Sequence, residues 1–278
     1  MNYRHIYHAG NFADVFKHVL LSLLLKSLSR KDTPFFYLDT HAGSGRYDLN
    51  SMAAQKTGEH RDGILRLWNR QSLPGIEDYL SAVRALNMGK ALRYYPGSPR
   101  FARYFLRPQD RAVLLELHPD DCAQLKIEFA RDRQVSVLRQ DGYAGLKAFL
   151  PPRERRGLVL IDPPYESDQE FQQQMEGLRE ARARWESGLY ALWYPIKNRS
   201  PVARFHRELV STGIRRILLA EFSPYPEDSD FRLNGCGMVM INPPWKLDET
   251  LRSLLPDLMN VLQLQPVGRT EINWLVPE

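Results

Sequence analysis

Cysteine is scarce in this chain of 278 residues. Its two cysteines, Cys122 and Cys236, lie far apart, and there is no Cys-x-x-Cys pair. Disulfide frameworks and zinc ribbons need several cysteines at short spacings, so neither is predicted. This cysteine usage is typical of a reducing compartment, and we expect a cytoplasmic protein.

Long apolar runs are also missing. The longest run near the start, residues 19–25, is interrupted by Ser22 and is followed by Lys26. A membrane-spanning helix needs about 20 apolar residues, so neither a span nor a signal peptide is predicted. His5 and His8 have the spacing of metal ligands, but no further ligand cluster supports them, and no metal is expected.

The chain also lacks internal repeats and low-complexity linkers. Its hydrophobic content of 43% and charged content of 26% are ordinary for a soluble globular protein. This length predicts one large domain, or one domain that carries an insertion. The formal charge of +5 and the pI near 9.2 are compatible with a polyanionic partner but do not require one.

The most informative stretch is residues 157–165, Gly-Leu-Val-Leu-Ile-Asp-Pro-Pro-Tyr. Its run of apolar residues predicts a strand that is buried on both faces, as in a parallel sheet. The strand must stop at Asp162, because Pro163 and Pro164 cannot continue a central ladder. A carboxylate, a rigid turn and the ring of Tyr165 therefore follow a strand's carboxyl end, where open α/β sheets bind ligands.

This turn suits the methylation of a planar exocyclic amine, whose lone pair is delocalised into its ring. Asp162 and the carbonyl of Pro163 can each accept one amine hydrogen, which localises the lone pair towards a methyl donor. Tyr165 can stack on the base and hold it in line. The alternative is a plain turn that closes a strand, and the tetrapeptide alone does not decide between the two.

The region after the first predicted strand indicates the cofactor. Residues 35–39 end at Asp39, and Gly43 and Gly45 then allow a tight turn and a close approach to a ligand. A dinucleotide fingerprint would place a third glycine where this chain has Asp48. The incomplete fingerprint favours S-adenosylmethionine over NAD, because S-adenosylmethionine has no pyrophosphate to bind.

Two more predicted strands end at Glu116 and near Asp141. Glu116 is placed to accept both ribose hydroxyls, and Asp141 to accept from the adenine amine, with Gly142 allowing a close approach. An acid at a strand end is an equally good explanation for each residue alone. The order of these strand ends, closed by Asp162, favours the cofactor interpretation.

The spacing of the motifs predicts an insertion. Glu116, the candidate ribose-binding acid, comes much later in the chain than it would in a compact α/β unit. Helix-like stretches lie before it, at residues 63–71 and 74–87. We therefore expect a small inserted helical subdomain at residues 47–93. Residues 1–46 and 94–278 would form the main α/β domain, with seven strands.

The first predicted helix covers residues 12–30. Lys17 and His18 lie off its apolar stripe, so they either reach a site or form an exposed pair of charges. The composition of residues 1–10 alone favours a frayed terminus.

A second Pro-Pro turn, which begins at Asn242 and ends at Trp245, follows a predicted strand at residues 238–241. Another apolar strand comes shortly before, which suggests a hairpin at the edge of the sheet. Asp162 directly follows the series of cofactor strands, so we place the chemistry there and interpret the second turn as structural.

Taken together, several segments resemble the bacterial 23S ribosomal RNA adenine-N6 methyltransferases known by the letter J. They span nearly the whole chain: Tyr3-Arg4-His5, His8-Ala9-Gly10-Asn11, Ala13-Asp14-Val15, Lys17-His18, Leu38-Asp39-Thr40-His41-Ala42-Gly43, Arg93-Tyr94-Tyr95-Pro96-Gly97-Ser98-Pro99, Glu116-Leu117-His118-Pro119, Asp162-Pro163-Pro164-Tyr165, Ala191-Leu192-Trp193-Tyr194-Pro195 and Ile241-Asn242-Pro243-Pro244-Trp245-Lys246-Leu247.

The resemblance implies a Rossmann-like methyltransferase fold that uses S-adenosylmethionine and acts as a monomer on 23S rRNA, which we take to be protein-free or early-assembly RNA. It implies Asp162 as the catalytic acceptor and Tyr3 as a residue that meets the substrate adenine, so the N-terminal tail would cover the active site. Cofactor contacts are implied at His18, His41, Ser98, Glu116, Asp141, Gly142 and Asp162.

Three other functions fit parts of this pattern less well. DNA adenine or protein glutamine methyltransferases share the turn chemistry, but this chain has no evident target-recognition domain for DNA. A non-catalytic RNA-binding protein with a decayed cofactor pocket should have lost the glycine and acid set, and all of it is present. A nicotinamide oxidoreductase is disfavoured by the incomplete glycine fingerprint.

Overall fold

The computed structural model describes residues 4–70, 73–88, 91–167, 169–226, 233–262 and 268–278. Short 3-10 helices lie at His5–Tyr7 and Glu59–Asp62. The helices are α1 (Phe12–Ser29), α2 (Met52–Thr57), α3 (Ile64–Trp68), α4 (Glu77–Leu86), α5 (Ser98–Phe105), α6 (Pro119–Glu128), α7 (Gly142–Phe149), α8 (Glu170–Arg184), α9 (Arg199–Ser211) and α10 (Leu247–Leu262). The strands are β1 (Phe36–Asp39), β2 (Arg46–Asp48), β3 (Tyr94–Pro96), β4 (Arg111–Leu115), β5 (Val135–Leu138), β6 (Gly157–Ile161), β7 (Leu189–Ile196), β8 (Ile217–Ser223), β9 (Gly235–Ile241) and β10 (Arg269–Val276).

The main sheet has the order β10-β8-β9-β7-β6-β1-β4-β5. The five adjacent strands β7, β6, β1, β4 and β5 are parallel to one another. Strand β9 is antiparallel to β7 and β8, and β10 is antiparallel to β8. This is a Rossmann-like α/β fold. The strand order reverses between β1 and β6, so the crevice beyond the carboxyl ends of these two strands is the expected ligand site.

Apolar residues cover both faces of the sheet. On one face, side chains such as Tyr37 and Leu160 pack against α1, α5 and α10. On the other, Leu38 and Ile161 pack against α7, α8 and α9. Because alternate residues of a strand point to opposite faces, β1 and β6 are buried along their whole length, as their apolar sequences predict.

Helices α2, α3 and α4 lie between β2 and β3, which pair with each other in a separate antiparallel ribbon. Side chains of this segment, among them Ile64, Tyr79 and Val83, join the same apolar cluster as those of α1 and α10. Helices α3 and α4 therefore share a core with the sheet, and the division into a main domain and an inserted subdomain at residues 47–93 stays a prediction.

Two features of the sheet differ from the prediction. The main sheet has eight strands, not seven, because β10 pairs antiparallel with β8. The second difference is the antiparallel ribbon of β2 and β3, two short strands that were not predicted. Strands β2, β3 and β10 are all partly exposed, so they lack the continuous apolar run that marks a central strand.

The prediction of an edge hairpin for the second Pro-Pro turn is wrong about its position. Strands β8 and β9 are antiparallel neighbours, but β9 lies inside the sheet, between β8 and β7. Since β9 runs against β7, its end meets the start of β7, where Asn242 Nδ2 donates to the carbonyls of Glu186 (2.9 Å) and Gly188 (2.8 Å). Asn242 thus lies beside the amino ends of the parallel strands, whereas Asp162 lies at their carboxyl ends.

Among the described residues, no helix has both the length and the apolar character needed to cross a membrane.

Candidate functional site

A cavity of about 590 Å³ lies at the carboxyl edge of the parallel strands. It is lined by residues from strand ends, from the start of the chain, from α1 and from the inserted segment. Those used below are His5, His8, Asn11, Asp14, Lys17, His18, His41, Gly43, Tyr47, Glu59, Ser98, Glu116, Asp162, Pro163, Pro164, Tyr165, Trp193 and Lys197.

A chain of charged groups reaches Asp162 from the start of α1. Lys17 Nζ lies 2.7 Å from Asp162 Oδ2 and 3.0 Å from Asp14 Oδ1. Asp14 Oδ2 in turn lies 2.8 Å from His5 Nε2 and accepts from the backbone N–H of Gly10 at 2.9 Å. The Lys17 ammonium also lies 5.8 Å from the ring centre of Trp193. Asp162 is therefore held from one side of the cavity.

These charges are buried, which makes their pairing strong. Only 7% of the Lys17 side chain and 2% of the Asp14 side chain are exposed. Burial lowers the pKa of Lys17, but the carboxylates of Asp14 and Asp162 outweigh it and hold that pKa well above its usual range. Burial raises the pKa of Asp14, yet His5 and Lys17 hold it well below its usual value. The interpretation of Lys17 and His18 as exposed charges is therefore wrong, and both line the site.

His18 presents an unpaired nitrogen next to the cavity. Its Nδ1 lies 2.9 Å from Tyr95 Oη, and its ring stacks on Phe101 with 4.6 Å between centroids. Its Nε2 is buried and has no hydrogen-bond partner among the described residues. Burial, with help from the Lys17 charge, holds the pKa of His18 well below its usual value, so the ring is neutral. A buried polar atom without a partner indicates a site for a ligand atom.

The carboxylate of Glu116 is fixed by the backbone. Its Oε2 accepts from the N–H of Gly43 at 2.7 Å, and its Oε1 accepts from the N–H of His118 at 2.7 Å. Gly43 has a positive φ, and a Cβ at this position would lie 2.4 Å from Tyr47 Oη. Glu116 thus presents two oriented oxygens, each with a remaining lone pair, next to a backbone turn that only glycine fits.

Asp39, at the end of β1, and His41, which lines the cavity two residues later, both have shifted pKa values. Burial raises the pKa of Asp39 to about 6, although hydrogen bonds from Ser98 and Tyr37 oppose the shift. Burial lowers the pKa of His41 to about 4, against the opposing charges of Asp162 and Asp141. At neutral pH the imidazole of His41 is therefore uncharged.

The Asp-Pro-Pro-Tyr turn leaves β6 and enters the cavity. Tyr165 has a φ of 50°, and its Oη lies 3.0 Å from Gln174 Oε1 and 3.1 Å from the carbonyl oxygen of Trp193. The ring also contacts Trp193, with 5.9 Å between the centroids. The hydroxyl is thus anchored away from the cavity, while the residue still contributes to its wall.

Two of the expected site residues lie outside the cavity wall. Asp141 caps α7 by accepting from the N–H of Ala144, and Gly142 packs so closely on Thr40 that a Cβ would lie 2.2 Å from its carbonyl oxygen. Neither is among the described residues that line the cavity. Their cofactor roles stay predictions, and Tyr3 lies outside the described residues.

Asp14, Glu59 and Trp193 also line this cavity, although none of them was predicted as a site residue. Asp14 and Lys17 are oppositely charged residues three positions apart on a mostly apolar helix, and this pairing was the available signal. The segment that the structure describes holds no group of three or more His, Cys, Asp or Glu side chains placed to bind a metal.

The chain is also similar to known proteins over most of its length. A model of the family described as "Ribosomal RNA large subunit methyltransferase D, RlmJ" matches residues 32–276. The chain belongs to this family of methyltransferases.

Individual members are similar over their full length. The chain is 47% identical over 279 residues to the "Ribosomal RNA large subunit methyltransferase J" of Escherichia coli K12, with all of both chains covered. It is 45% identical over 280 residues to the protein of the same name from Haemophilus influenzae, again with both chains fully covered. The crystal structure of protein LPL1258 from Legionella pneumophila superposes with a TM-score of 0.89 at 36% identity, covering 96% of this chain and 98% of that one.

The residues present fit a nucleoside-type methyl donor. The carboxylate of Glu116 can accept hydrogen bonds from a diol, and Gly43 has no side chain to keep a ligand away from its backbone. The unpaired Nε2 of His18 can make one more polar contact. His41 and Ser98 complete this side of the cavity.

Proposed function

We propose that this protein methylates the exocyclic N6 amine of one adenine in 23S rRNA and that S-adenosylmethionine is the methyl donor. The observation that carries the proposal is Asp162 at the wall of the cavity, followed by Pro163, Pro164 and Tyr165 and held by Lys17. The printed names of the family members support the RNA substrate.

The proposed role of the turn is to hold the amine. With Oδ2 of Asp162 bound to Lys17, Oδ1 can accept one amine hydrogen, and the carbonyl of Pro163 can accept the other. Both bonds draw the lone pair out of the purine ring and aim it at the methyl carbon. The ring of Tyr165 supports the base, and Tyr3 is proposed to meet it from the N-terminal tail.

The cofactor residues are proposed to be His18, His41, Gly43, Ser98, Glu116 and Asp162, with Asp141 and Gly142 at the start of α7. When bound, S-adenosylmethionine supplies an electrophilic methyl group on a sulfonium and leaves as a neutral thioether, so no strong base is needed. The methylated amine must still lose one proton, which Asp162 accepts or passes to water.

Adenine must leave its stack to enter the cavity, at a cost of a few kcal/mol that is lower for an unpaired base. We therefore propose protein-free or early-assembly 23S rRNA as the substrate, acted on by a monomer in the cytoplasm. The basic composition, with a formal charge of +5, favours a polyanionic substrate.

The test is label transfer from methyl-labelled S-adenosylmethionine onto protein-free 23S rRNA, with 50S subunits and DNA in parallel. We expect label on RNA, recovered as N6-methyladenosine. It should be lost in Asp162→Ala and kept in Asn242→Ala, the matched variant at the second Pro-Pro turn. No label on any nucleic acid, despite measurable cofactor binding, would redirect the assignment to protein acceptors.

A further inference from the structure

The helical segment between β2 and β3, which we call the insertion, binds the N-terminal segment, residues 4–11, next to the cavity. The N–H of Ile64 donates to the carbonyl of Gly10 at 2.9 Å. At Gly63, a Cβ would lie 2.0 Å from the same carbonyl oxygen, so only glycine permits this approach. The hydroxyl of Thr57 donates to the carbonyl of Tyr7. Two backbone groups of the N-terminal segment are therefore held by the insertion.

The carboxylate of Glu59 also links the two segments, because each of its oxygens contacts a side chain of the N-terminal segment. Its Oε1 lies 2.9 Å from His8 Nδ1, and its Oε2 accepts from Asn11 Nδ2 at 2.9 Å. All three side chains line the cavity. One carboxylate thus restrains two residues, three positions apart, at the point where the N-terminal segment enters α1.

Asn11 passes this restraint on to the charged groups of the site. Its Oδ1 accepts from the N–H of Asp14 at 2.9 Å, which caps the first turn of α1. Asp14 and Lys17 lie in that turn and the next, and Lys17 contacts Asp162. Glu59 is therefore connected to Asp162 by successive contacts through Asn11, Asp14 and Lys17.

The charges around Glu59 support this arrangement near neutral pH. The hydrogen bond to Glu59 raises the pKa of His8, and Asp14 adds to this, whereas burial and Lys197 oppose it. Burial raises the pKa of Glu59, but the bonds from His8 and Asn11 outweigh it and lower that pKa overall.

We propose that Glu59 is a positioning residue for the methyl-transfer site. It holds residues 4–11 against the insertion, and through Asn11 it sets the start of α1, and with it Asp14 and Lys17, at Asp162. The insertion therefore forms part of the cavity wall and holds in place the residues of the N-terminal segment that line the cavity beside it. This inference rests on the proposed function for its effect on catalysis, but not for its effect on the N-terminal segment.

The experiment compares Glu59→Ala and Glu59→Gln with Asp78→Asn in the full-length protein. Asp78 is the matched control, because it pairs with Lys26 and so also joins the insertion to α1, but away from the cavity. Amide hydrogen exchange over residues 4–14 reports on the segment. Steady-state methylation of 23S rRNA, with kcat and KM determined separately, reports on the site.

We expect Glu59→Ala to speed exchange over residues 4–14 and to lower kcat/KM by roughly three- to tenfold, since these bonds are charge-assisted but partly exposed. Glu59→Gln keeps a partner for both His8 and Asn11, so it should stay within about twofold of the unmodified chain. Asp78→Asn should change neither quantity.

Unchanged exchange in Glu59→Ala would overturn the proposal, as would faster exchange without any loss of kcat/KM. If the unmodified chain methylates no RNA, the proposed function fails, and the exchange comparison still decides whether Glu59 holds the N-terminal segment.

Discussion

Lys17 lies between two carboxylates, 3.0 Å from Asp14 and 2.7 Å from Asp162. The first belongs to the same helix and the second follows a strand 145 positions later in the chain. A buried ammonium between the buried carboxylate of Asp14 and the partly exposed carboxylate of Asp162 leaves one net negative charge. The ring nitrogen of His5 lies 2.8 Å from Asp14 Oδ2. The proposed acceptor of the amine proton is thus part of an electrostatic unit, and its position depends on α1.

Replacing Lys17 by Met should both destabilise the fold and impair methylation. Removing one partner leaves the two carboxylates without their ammonium, which costs about 3 kcal/mol of the free energy of unfolding in comparable buried pairs. We expect kcat to fall at least about tenfold, since a change of 1.4 kcal/mol in the barrier has that effect. Urea denaturation and single-turnover methylation measure the two effects.

Lys26→Met is the control for this variant. Lys26 is on the same helix and pairs with Asp78, but about half of its side chain is exposed. Such a pair contributes roughly 0–1 kcal/mol, so stability and turnover should stay near those of the unmodified chain. Equal losses in both variants would show that α1 is merely sensitive to the loss of any lysine.

Glu116→Gln should weaken cofactor binding and spare the chemical step. One carboxylate oxygen would become an amide NH₂ that faces the N–H of Gly43 or of His118, so the side chain would turn away from its present position. We expect the Kd for S-adenosylmethionine, measured by calorimetry, to rise roughly tenfold. With saturating cofactor, kcat should recover; an unchanged Kd would remove Glu116 from the cofactor site.

Gly43→Ala should destabilise the turn after β1, for two separable reasons. The φ of 61° disfavours any L side chain, and the new Cβ would lie 2.4 Å from Tyr47 Oη. The backbone preference alone costs about 1 kcal/mol, and the clash adds to it. Because Tyr47→Phe removes the clashing oxygen, the double variant should regain the second part of the loss but not the first. Thermal denaturation of the single and double variants checks this.

Asp39→Asn should change how stability depends on pH. The pKa of this carboxyl is about 3.8 in the unfolded chain and about 6 in the folded chain, so the folded chain binds more protons between these values. The contribution of Asp39 is therefore complete below about pH 4 and is lost as the pH rises through 6. Above pH 6, Asp39→Asn should gain up to about 3 kcal/mol of unfolding free energy relative to its effect at pH 4. A constant difference between the two chains across this range would contradict the buried-carboxyl assignment.

The parts that could be predicted from sequence are those set by local pattern. The apolar run before Asp162 predicted a strand buried on both faces, and the strand ends at Asp39, Glu116 and Asp162 do meet at one edge of the sheet. The prediction followed because proline ends a strand and parallel strands share one carboxyl edge.

The parts that could not be predicted depend on contacts between distant segments. No local pattern pairs Lys17 with Asp162, and none shows that β9 enters the sheet between β8 and β7. Asp141 also follows a strand, as predicted, yet its carboxylate caps α7 outside the cavity wall. Strand-end position alone therefore does not determine which acid faces a cavity, because the first turn of the next helix competes for the same oxygen.

The shared apolar cluster has a consequence for how far this protein can be shortened. Ile64, Tyr79 and Val83 of the insertion are buried together with residues of α1 and α10. Deleting the insertion would expose that surface and release the N-terminal segment at the same time. We therefore expect that α2, α3 and α4 cannot be removed without destabilising the sheet domain, because apolar surface of α1 and α10 would then face solvent.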